Sequence, residues 1–306
     1  MKLGEGLTIA EQAILVLEED YFSFEEFTGI TIHGILGADI LRRFVIKIDY
    51  RRRKIIFQDP STFKIPRFDS FIKTNSEFNR YKPYLYLPTA LRAGNTSNLK
   101  FLLDTGASLA LLMYTSSDST LQLPENLIKT YIGFGLGGTL EGYIGRTASL
   151  KIGDHELQNV ITNFQDISNE YGLDTTFLNN RSGLIGNVVL QRFYVIIDYI
   201  HEVVYLKPNR DFKRKFLFDR SGLSIAATGN NLNHFIVLTV IKDSPAEQAG
   251  IQIGDEIRAV NGVPVIFKGL ESIVRAFQKK PGKKIQVLIK RGEERMVVEF
   301  KLRDLI

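Results

Sequence analysis

Apolar and polar residues alternate with a period of two in several short stretches of this chain. Residues 82–87 (KPYLYL) follow the pattern, and residues 99–103 form a second short apolar run. Alternation places one face of an extended chain against a core and the other toward solvent, which is typical of β-strands. Further strands are predicted at residues 224–228 and 234–241. The pattern therefore predicts a mainly β protein.

A repeated segment indicates that part of the chain is duplicated. Residues 34–50 are GILGADILRRFVIKIDY and residues 183–199 are GLIGNVVLQRFYVIIDY, with 8 of 17 positions identical at a constant offset of 149. Each copy runs from an apolar-apolar-Gly turn, through a short helical stretch, into a β-rich segment that ends in Asp-Tyr. Repeats of this kind mark related structural units, so two half-domains of one architecture are expected.

The chain from Ser221 onward has the signals of a small independent domain of about 85 residues. Ser244 is expected to cap a short helix, with Pro245 in its first turn and Gly250 just after its end. Asn261-Gly262 is expected to form a tight turn. These residue types are preferred at those positions. A second helix is predicted around residues 270–278, followed by two closing strands.

These features predict a division of the chain into half of a first lobe, a connection, a complete second lobe, a charged linker and a C-terminal domain. The corresponding ranges are 1–60, 61–81, 82–207, 208–220 and 221–306.

Composition excludes several classes of function. The chain has no cysteine, and its four histidines are far apart in sequence, so disulfides, thiol nucleophiles and a metal site are not expected. The net charge is +5, but the basic runs are short, so no nucleic-acid partner is expected. No apolar run approaches the roughly 18 residues of a membrane-spanning helix, and the first residues do not form a signal-peptide pattern.

The sharpest chemical signal is an aspartate at the end of an apolar strand. Residues 101–108 are FLLDTGAS, so Asp104, Thr105 and Gly106 form a turn that is followed at once by apolar residues. Glycine permits the tight backbone conformation that such a turn needs. Asp104 is therefore a candidate catalytic carboxylate, and the alternative is an Asx-type turn between two strands.

The order of three motifs resembles one lobe of the aspartic proteases, in particular their retropepsin-like branch. Asp104-Thr105-Gly106 matches the catalytic loop, and an apolar-apolar-Gly strand supports that loop in the family. The resemblance implies the flap and the supporting strand as two further sets of residues: Gly133, Gly135, Gly137 and Gly138, and then Leu184, Ile185 and Gly186. A dinucleotide site at the glycines is rejected, because residues 139–152 are predicted as a strand and not as a helix.

The chemistry that the resemblance implies uses two carboxylates that share one proton and activate a water molecule. The first repeat copy supplies Ile35-Leu36-Gly37, but no Asp-Thr-Gly precedes it, and the position 149 residues before Asp104 lies upstream of Met1. We therefore expect an N-terminally truncated chain. The alternatives are a homodimer that pairs two copies of Asp104, or an inactive descendant.

The C-terminal domain resembles a bacterial PDZ domain. In that family a glycine-containing loop binds a peptide carboxylate through backbone N–H groups, and the following strand accepts the peptide as an added strand. The corresponding loop is Gly222, Leu223, Ser224 and Ile225, with Ser224 replacing the usual second glycine. The alternative is a β-rich packing domain without a ligand.

Together these resemblances imply an aspartic-type endopeptidase whose PDZ module binds peptide or protein C-termini. The alternative is a catalytically inactive peptide-binding scaffold protein. No cofactor is expected. The expected partners are a peptide or protein substrate and a PDZ ligand peptide, with a homodimer as a further possibility. Related fusions suggest a bacterial cell-envelope location.

Overall fold

The structure is a computed structural model that describes residues 2–4, 7–9, 12–16, 24–65, 70–117, 121–135, 138–166 and 181–306. Up to residue 117 the helices and strands are β1 (Lys2–Gly4), β2 (Leu7–Thr8), α1 (Phe24–Thr28), α2 (Ala38–Leu41), β3 (Val45–Asp49), β4 (Lys54–Gln58), β5 (Ile72–Lys73), β6 (Ser76–Asn79), β7 (Lys82–Arg92), β8 (Asn95–Leu103) and β9 (Leu111–Tyr114). From there to residue 208 they are β10 (Ile128–Gly135), β11 (Gly138–Ile152), β12 (His155–Gln165), β13 (Gly183–Ile185), α3 (Asn187–Leu190), β14 (Phe193–Asp198) and β15 (Val203–Pro208). The C-terminal elements are β16 (Leu223–Thr228), β17 (His234–Val240), α4 (Pro245–Gln248), β18 (Glu256–Val260), β19 (Val263–Pro264), α5 (Leu270–Phe277), β20 (Lys284–Arg291) and β21 (Glu294–Lys301).

Strands β6 to β13 form one sheet that closes on itself. Their order is β10-β11-β12-β9-β13-β8-β7-β6, and β11 also pairs with β7. This extra pairing sets Ser149 opposite Ala90 and Leu150 opposite Thr89. Closure leaves β7, β8, β9, β11, β12 and β13 with a neighbour on both sides, so a barrel surrounds a core that includes the fully buried Phe101 and Phe164. The predicted β lobe is confirmed.

A second sheet joins the two repeat copies. Its order is β4-β3-β14-β15-β5, and β3 pairs with β14 in antiparallel register. Lys47 lies opposite Ile196, and these residues are equivalent positions of the repeat, so a local two-fold axis passes between them. Helices α2 and α3 begin and end at equivalent residues as well. The duplication predicted from sequence is therefore present in the structure.

Two segments differ from their expected character. Residues 61–81 were expected to be an irregular connection, but they supply β5 to the second sheet and β6 to the barrel sheet. Residues 208–220 were expected to be a charged linker, yet Phe216 is buried in the core of the barrel. The Arg192 guanidinium lies over the Phe216 ring and donates to backbone carbonyls of this segment. Residues 61–81 contain short alternating stretches that form strands. Residues 208–220 contain an aromatic side chain that anchors them to the core.

The C-terminal domain has its own sheet and its own core. The strand order is β16-β17-β18-β20-β21, with β19 paired to β18, and its core includes Phe235, Ile273 and Phe277. The predicted short helix is confirmed, because the Ser244 hydroxyl caps α4 by accepting from the Glu247 N–H at 3.3 Å. The predicted turn is also present, with positive φ at both Asn261 and Gly262.

Candidate functional site

Asp104 lies in a turn between β8 and β9 at one end of the barrel. Its backbone N–H donates to the Ile185 carbonyl at 3.0 Å, and its Oδ1 accepts from the Gly106 N–H at 2.8 Å. The side chain is half-buried. The turn is thus held from two sides, by its own carboxylate and by strand β13, which leaves the second carboxylate oxygen available for other partners.

Strand β13 supports the turn because its flanking glycines permit very close packing. It lies between β8, which it pairs in parallel, and β9, which it pairs in antiparallel fashion. A Cβ at Gly183 would lie 1.9 Å from the Leu112 carbonyl oxygen, and one at Gly186 would lie 2.4 Å from the Leu109 oxygen. Only glycine fits at these positions. The structure therefore places Leu184, Ile185 and Gly186 beside the Asp104 turn.

Asn187 fastens the turn to the first repeat copy. Its backbone N–H donates to the Ala107 carbonyl at 2.8 Å, and its side-chain Nδ2–H donates to the Thr105 carbonyl at 2.6 Å. The Tyr50 hydroxyl donates in turn to Asn187 Oδ1 at 2.8 Å. Burial and, secondarily, the negative charge of Asp104 raise the pKa of Tyr50, so Tyr50 stays a neutral donor beside the carboxylate.

Sequence reasoning did not identify Tyr50 or Asn187 as residues of the site. One signal for Tyr50 was available, since both repeat copies end in Asp-Tyr. Its counterpart Tyr199 is also mostly enclosed, and burial raises its pKa to about 12. Its ring packs edge-on against Phe78 at 5.6 Å. The final tyrosine of each copy thus lies against the body of the molecule, and only that of the first copy lies near Asp104.

The first repeat copy lacks the packing of the second at its apolar-apolar-Gly turn. Residues 34–37 form no regular structure. Leu36 is 41% exposed, whereas its second-copy counterpart Ile185 is fully buried. Ile35 is 72% exposed, whereas its counterpart Leu184 is half-buried. A Cβ at Gly34 would meet nothing within 4 Å. Two related apolar-apolar-Gly turns therefore occupy very different environments, because β13 of the second copy has strands on both sides.

The glycine-rich segment forms the end of a hairpin. Strands β10 and β11 pair up to Gly135 opposite Gly138, with Gly133 opposite Leu140. Gly137 lies outside the described residues. The hairpin geometry predicted for the flap is thus present in the backbone, and its role as a flap stays a prediction.

The predicted carboxylate-binding loop is partly occupied from within the chain. The Asp219 carboxylate accepts from the N–H groups of Ser221 at 2.8 Å, Gly222 at 2.6 Å and Leu223 at 3.3 Å. Burial raises the pKa of Asp219 to about 6, against the opposing effect of these hydrogen bonds. Gly222 and Leu223 were expected to donate to a ligand, but the structure uses both donors internally. Ser224 and Ile225 lie within β16, opposite Thr239 and Val237 of β17.

The described residues also bear on metal binding and on membrane insertion. No group of three or more histidine, aspartate or glutamate side chains in these residues is arranged to hold a metal ion. Among the same residues, no helix combines the length and the apolar character needed to cross a membrane.

Comparison with known proteins gives matches to two families. Residues 90–188 match the family model described as "Aspartyl protease", and residues 236–291 match that of the "PDZ domain". The first range contains the Asp104 turn, β13 and Asn187. The second contains most of the C-terminal sheet and α5.

Curated relatives are similar over limited parts of their length. A probable CtpA-like serine protease of Staphylococcus saprophyticus is 29% identical over 151 residues, which is 49% of this chain and 30% of the relative. A protein of the same description from Staphylococcus haemolyticus is 35% identical over 95 residues, covering 30% and 19%. The chain spans less than a third of the length of these relatives, so their catalytic type does not transfer to it.

Solved structures with similarity include a retropepsin-like aspartic protease from Rickettsia conorii. It is 21% identical with a TM-score of 0.31, over 45% of this chain and 89% of that one. The PDZ domain of a carboxy-terminal protease from Vibrio cholerae, solved with a peptide, is 21% identical with a TM-score of 0.24, over 29% and 99%. The family models therefore identify an aspartyl protease domain within residues 90–188 and a C-terminal PDZ domain within residues 236–291 of this protein.

Proposed function

We propose that the chain is an aspartic-type peptidase in which Asp104 is one of two carboxylates. The observation that carries this proposal is the construction of the Asp104 turn. It is pinned by β13 and Asn187, and Tyr50 reaches it from the other repeat copy. A turn that served only to connect two strands would not need a glycine-flanked strand beneath it and a half-buried tyrosine bonded to the asparagine that holds it.

The proposed reaction requires a second carboxylate within about 3 Å, since two such groups cannot both ionise and so provide a base and an acid together. The base activates a water molecule, and the acid polarises the peptide carbonyl. The printed sequence contains one Asp-Thr-Gly. The local two-fold axis between Lys47 and Ile196 relates the two repeat copies. We therefore propose that the second carboxylate lies on the other side of this axis, either on another polypeptide segment or on a second copy of the chain.

A peptidase assay with Asp104→Asn tests the proposal. Asparagine keeps the Oδ1 acceptor for Gly106, so the fold is expected to survive while cleavage of an unfolded protein substrate is lost by at least 100-fold. Asp154→Asn, at an exposed turn between β11 and β12, is the control and should retain activity. The assay is run from pH 3 to pH 8 over a protein concentration series. Cleavage that rises more steeply than linearly would identify a second copy as the source of the other carboxylate.

Cleavage by Asp104→Asn at the wild-type rate would contradict the assignment of Asp104. Absence of cleavage at every concentration and pH would contradict the peptidase proposal for this chain. The single Asp-Thr-Gly favours a second candidate function for that outcome, a peptide-binding scaffold that acts through its PDZ domain.

We further propose that residues 221–306 bind an extended peptide along the outer edge of β16. Strand β16 is the last strand of its sheet and pairs with β17 on its other edge, so its outer edge can accept an added strand. Screening a library of free and amidated peptides tests this proposal. Because Asp219 uses two donors of the loop, we expect little preference for free C-termini, and lack of binding across the library would contradict the proposal.

A further inference from the structure

A distant part of the same chain contacts the edge strand β16. Helix α1 packs along β16, and all of its residues are half-buried. Immediately after the helix, Gly29 touches α5, because a Cβ at Gly29 would lie only 2.7 Å from Leu270 Cβ. Residues 24–29, the first part of segment 24–36, therefore contact both β16 and the start of α5, the two elements that would border a bound peptide.

Helix α1 is too short to be stable without this contact. It has five residues, whereas isolated helices below about 12 residues are marginal in water. The helix ends at Gly29, which has a φ of +67° and whose N–H donates to the Glu25 carbonyl at 2.7 Å. The Glu25 carboxylate then accepts from the Ile32 N–H at 2.6 Å and folds the following residues back. The order of this segment thus depends on the surface beneath it.

We propose that segment 24–36 is an internal ligand that closes the PDZ peptide site, and that an incoming peptide must displace it. This inference rests on the proposed peptide-binding role of residues 221–306. Because the segment is tethered to the domain, its effective concentration at the site does not depend on the protein concentration, and it competes with any free peptide. A free peptide binds only the open fraction of molecules, which lowers its apparent affinity by that fraction.

Displacement would also act on the first repeat copy. Segment 24–36 ends in Ile35 and Leu36, the counterparts of the strand residues beside Asp104, and α2 follows directly at Ala38. Release of the segment at the PDZ site frees these exposed residues to rearrange. Occupancy of the PDZ domain is in this way linked to the half-lobe that supplies Tyr50.

Two matched glycine variants of the full chain test the inference. Gly29→Ala introduces a Cβ that collides with Leu270 and disfavours the positive φ, so the segment should leave the site while residues 221–306 stay unchanged. Gly34→Ala adds the same methyl group where nothing lies within 4 Å, and it is the control. Glu25→Ala is a second releasing variant, since it removes the acceptor for Ile32.

The probe is a fluorescein-labelled peptide with the sequence of residues 24–36, measured by fluorescence anisotropy. Gly29→Ala is expected to bind the peptide at least tenfold more tightly than wild type, with Glu25→Ala between them and Gly34→Ala equal to wild type. Adding unlabelled peptide to the wild-type chain should speed amide exchange at residues 24–32. Equal affinity in all four proteins, or no binding to any of them, would overturn the inference.

The binding assay separates this inference from the proposed functions. If the segment peptide binds none of the proteins but library peptides bind wild type and Gly29→Ala equally, the internal ligand is refuted and the PDZ role is retained. If no peptide of any kind binds Gly29→Ala, the peptide-binding proposal fails and the inference fails with it. Neither result depends on whether the chain has peptidase activity.

Discussion

Gly183 and Gly34 occupy equivalent positions of the repeat, and substituting each by alanine compares their environments directly. A Cβ at Gly183 would lie 1.9 Å from the Leu112 carbonyl oxygen and 3.1 Å from the Met113 Cα, whereas one at Gly34 meets nothing within 4 Å. Because backbone atoms cannot move aside as a flexible side chain can, Gly183→Ala must separate β13 from β9. Overpacking typically costs about 1–3 kcal/mol, and loss of strand pairing adds to it, so we expect a destabilisation of about 3 kcal/mol or more.

Gly34→Ala should behave as a surface substitution. Such changes usually alter stability by no more than about 0.5 kcal/mol, and alanine restricts the unfolded chain, which offsets part of any loss of stability. Total domain stability is about 5–15 kcal/mol, so a difference of 3 kcal/mol between the variants is readily resolved.

Urea unfolding measures this difference, with circular dichroism and tyrosine fluorescence as probes, because the chain has no tryptophan. The barrel and the C-terminal domain have separate cores, so two transitions are expected, and Gly183→Ala should shift only the one that belongs to the barrel. Amide exchange at residues 111–113 identifies that transition. Equal shifts for Gly183→Ala and Gly34→Ala would refute the reasoning, since they would show that residues 34–36 are packed as tightly as β13.

Three further predictions concern other contacts. Asn187→Ala, which loses the bonds to Tyr50 and Thr105, should destabilise the barrel by about 1–3 kcal/mol in urea unfolding and reduce peptidase activity at least tenfold; unchanged activity would contradict its role in holding the turn. Burial raises the pKa of Asp219 from 3.8 to about 6, so the folded chain retains this proton between pH 4 and pH 6 and this group's contribution to stability falls as pH rises through that window. The stability of Asp219→Asn relative to wild type should therefore increase by up to about 3 kcal/mol from pH 4 to pH 7, and urea unfolding showing the opposite slope would contradict the burial argument. Residues 221–306 expressed alone should unfold cooperatively, because their core is separate from that of the barrel; a calorimetric scan without a transition would exclude an independent domain.

Local features of this protein were predictable because they depend on neighbouring residues. The Ser244 cap and the Asn261-Gly262 turn are made by side chains and backbone groups within a few positions of each other, and both appear as expected. The strands that begin at Lys82 and His234 were visible in the alternation of apolar residues. The Asp104 turn was predicted in the same way, from an apolar strand that ends at a glycine-containing turn.

Contacts between distant residues were not predictable. Tyr50 reaches Asn187 across 137 positions of sequence, and α1 covers β16 from about 200 residues away. The occupation of the loop by Asp219 is nearer in sequence, but it depends on burial of a carboxylate that composition does not reveal. These contacts exist only after the sheets have formed.

The two repeat copies show most clearly which features follow from local sequence and which follow from tertiary contacts. Their sequences determine a glycine-flanked apolar turn, a short helix and a strand in both copies, and helices α2 and α3 and strands β3 and β14 follow from that common pattern. Tertiary structure alone decides that Ile185 is fully buried in a strand while its counterpart Leu36 is 41% exposed. A short apolar segment becomes a strand only where other strands supply hydrogen-bond partners on its edges, and β8 and β9 supply them to the second copy.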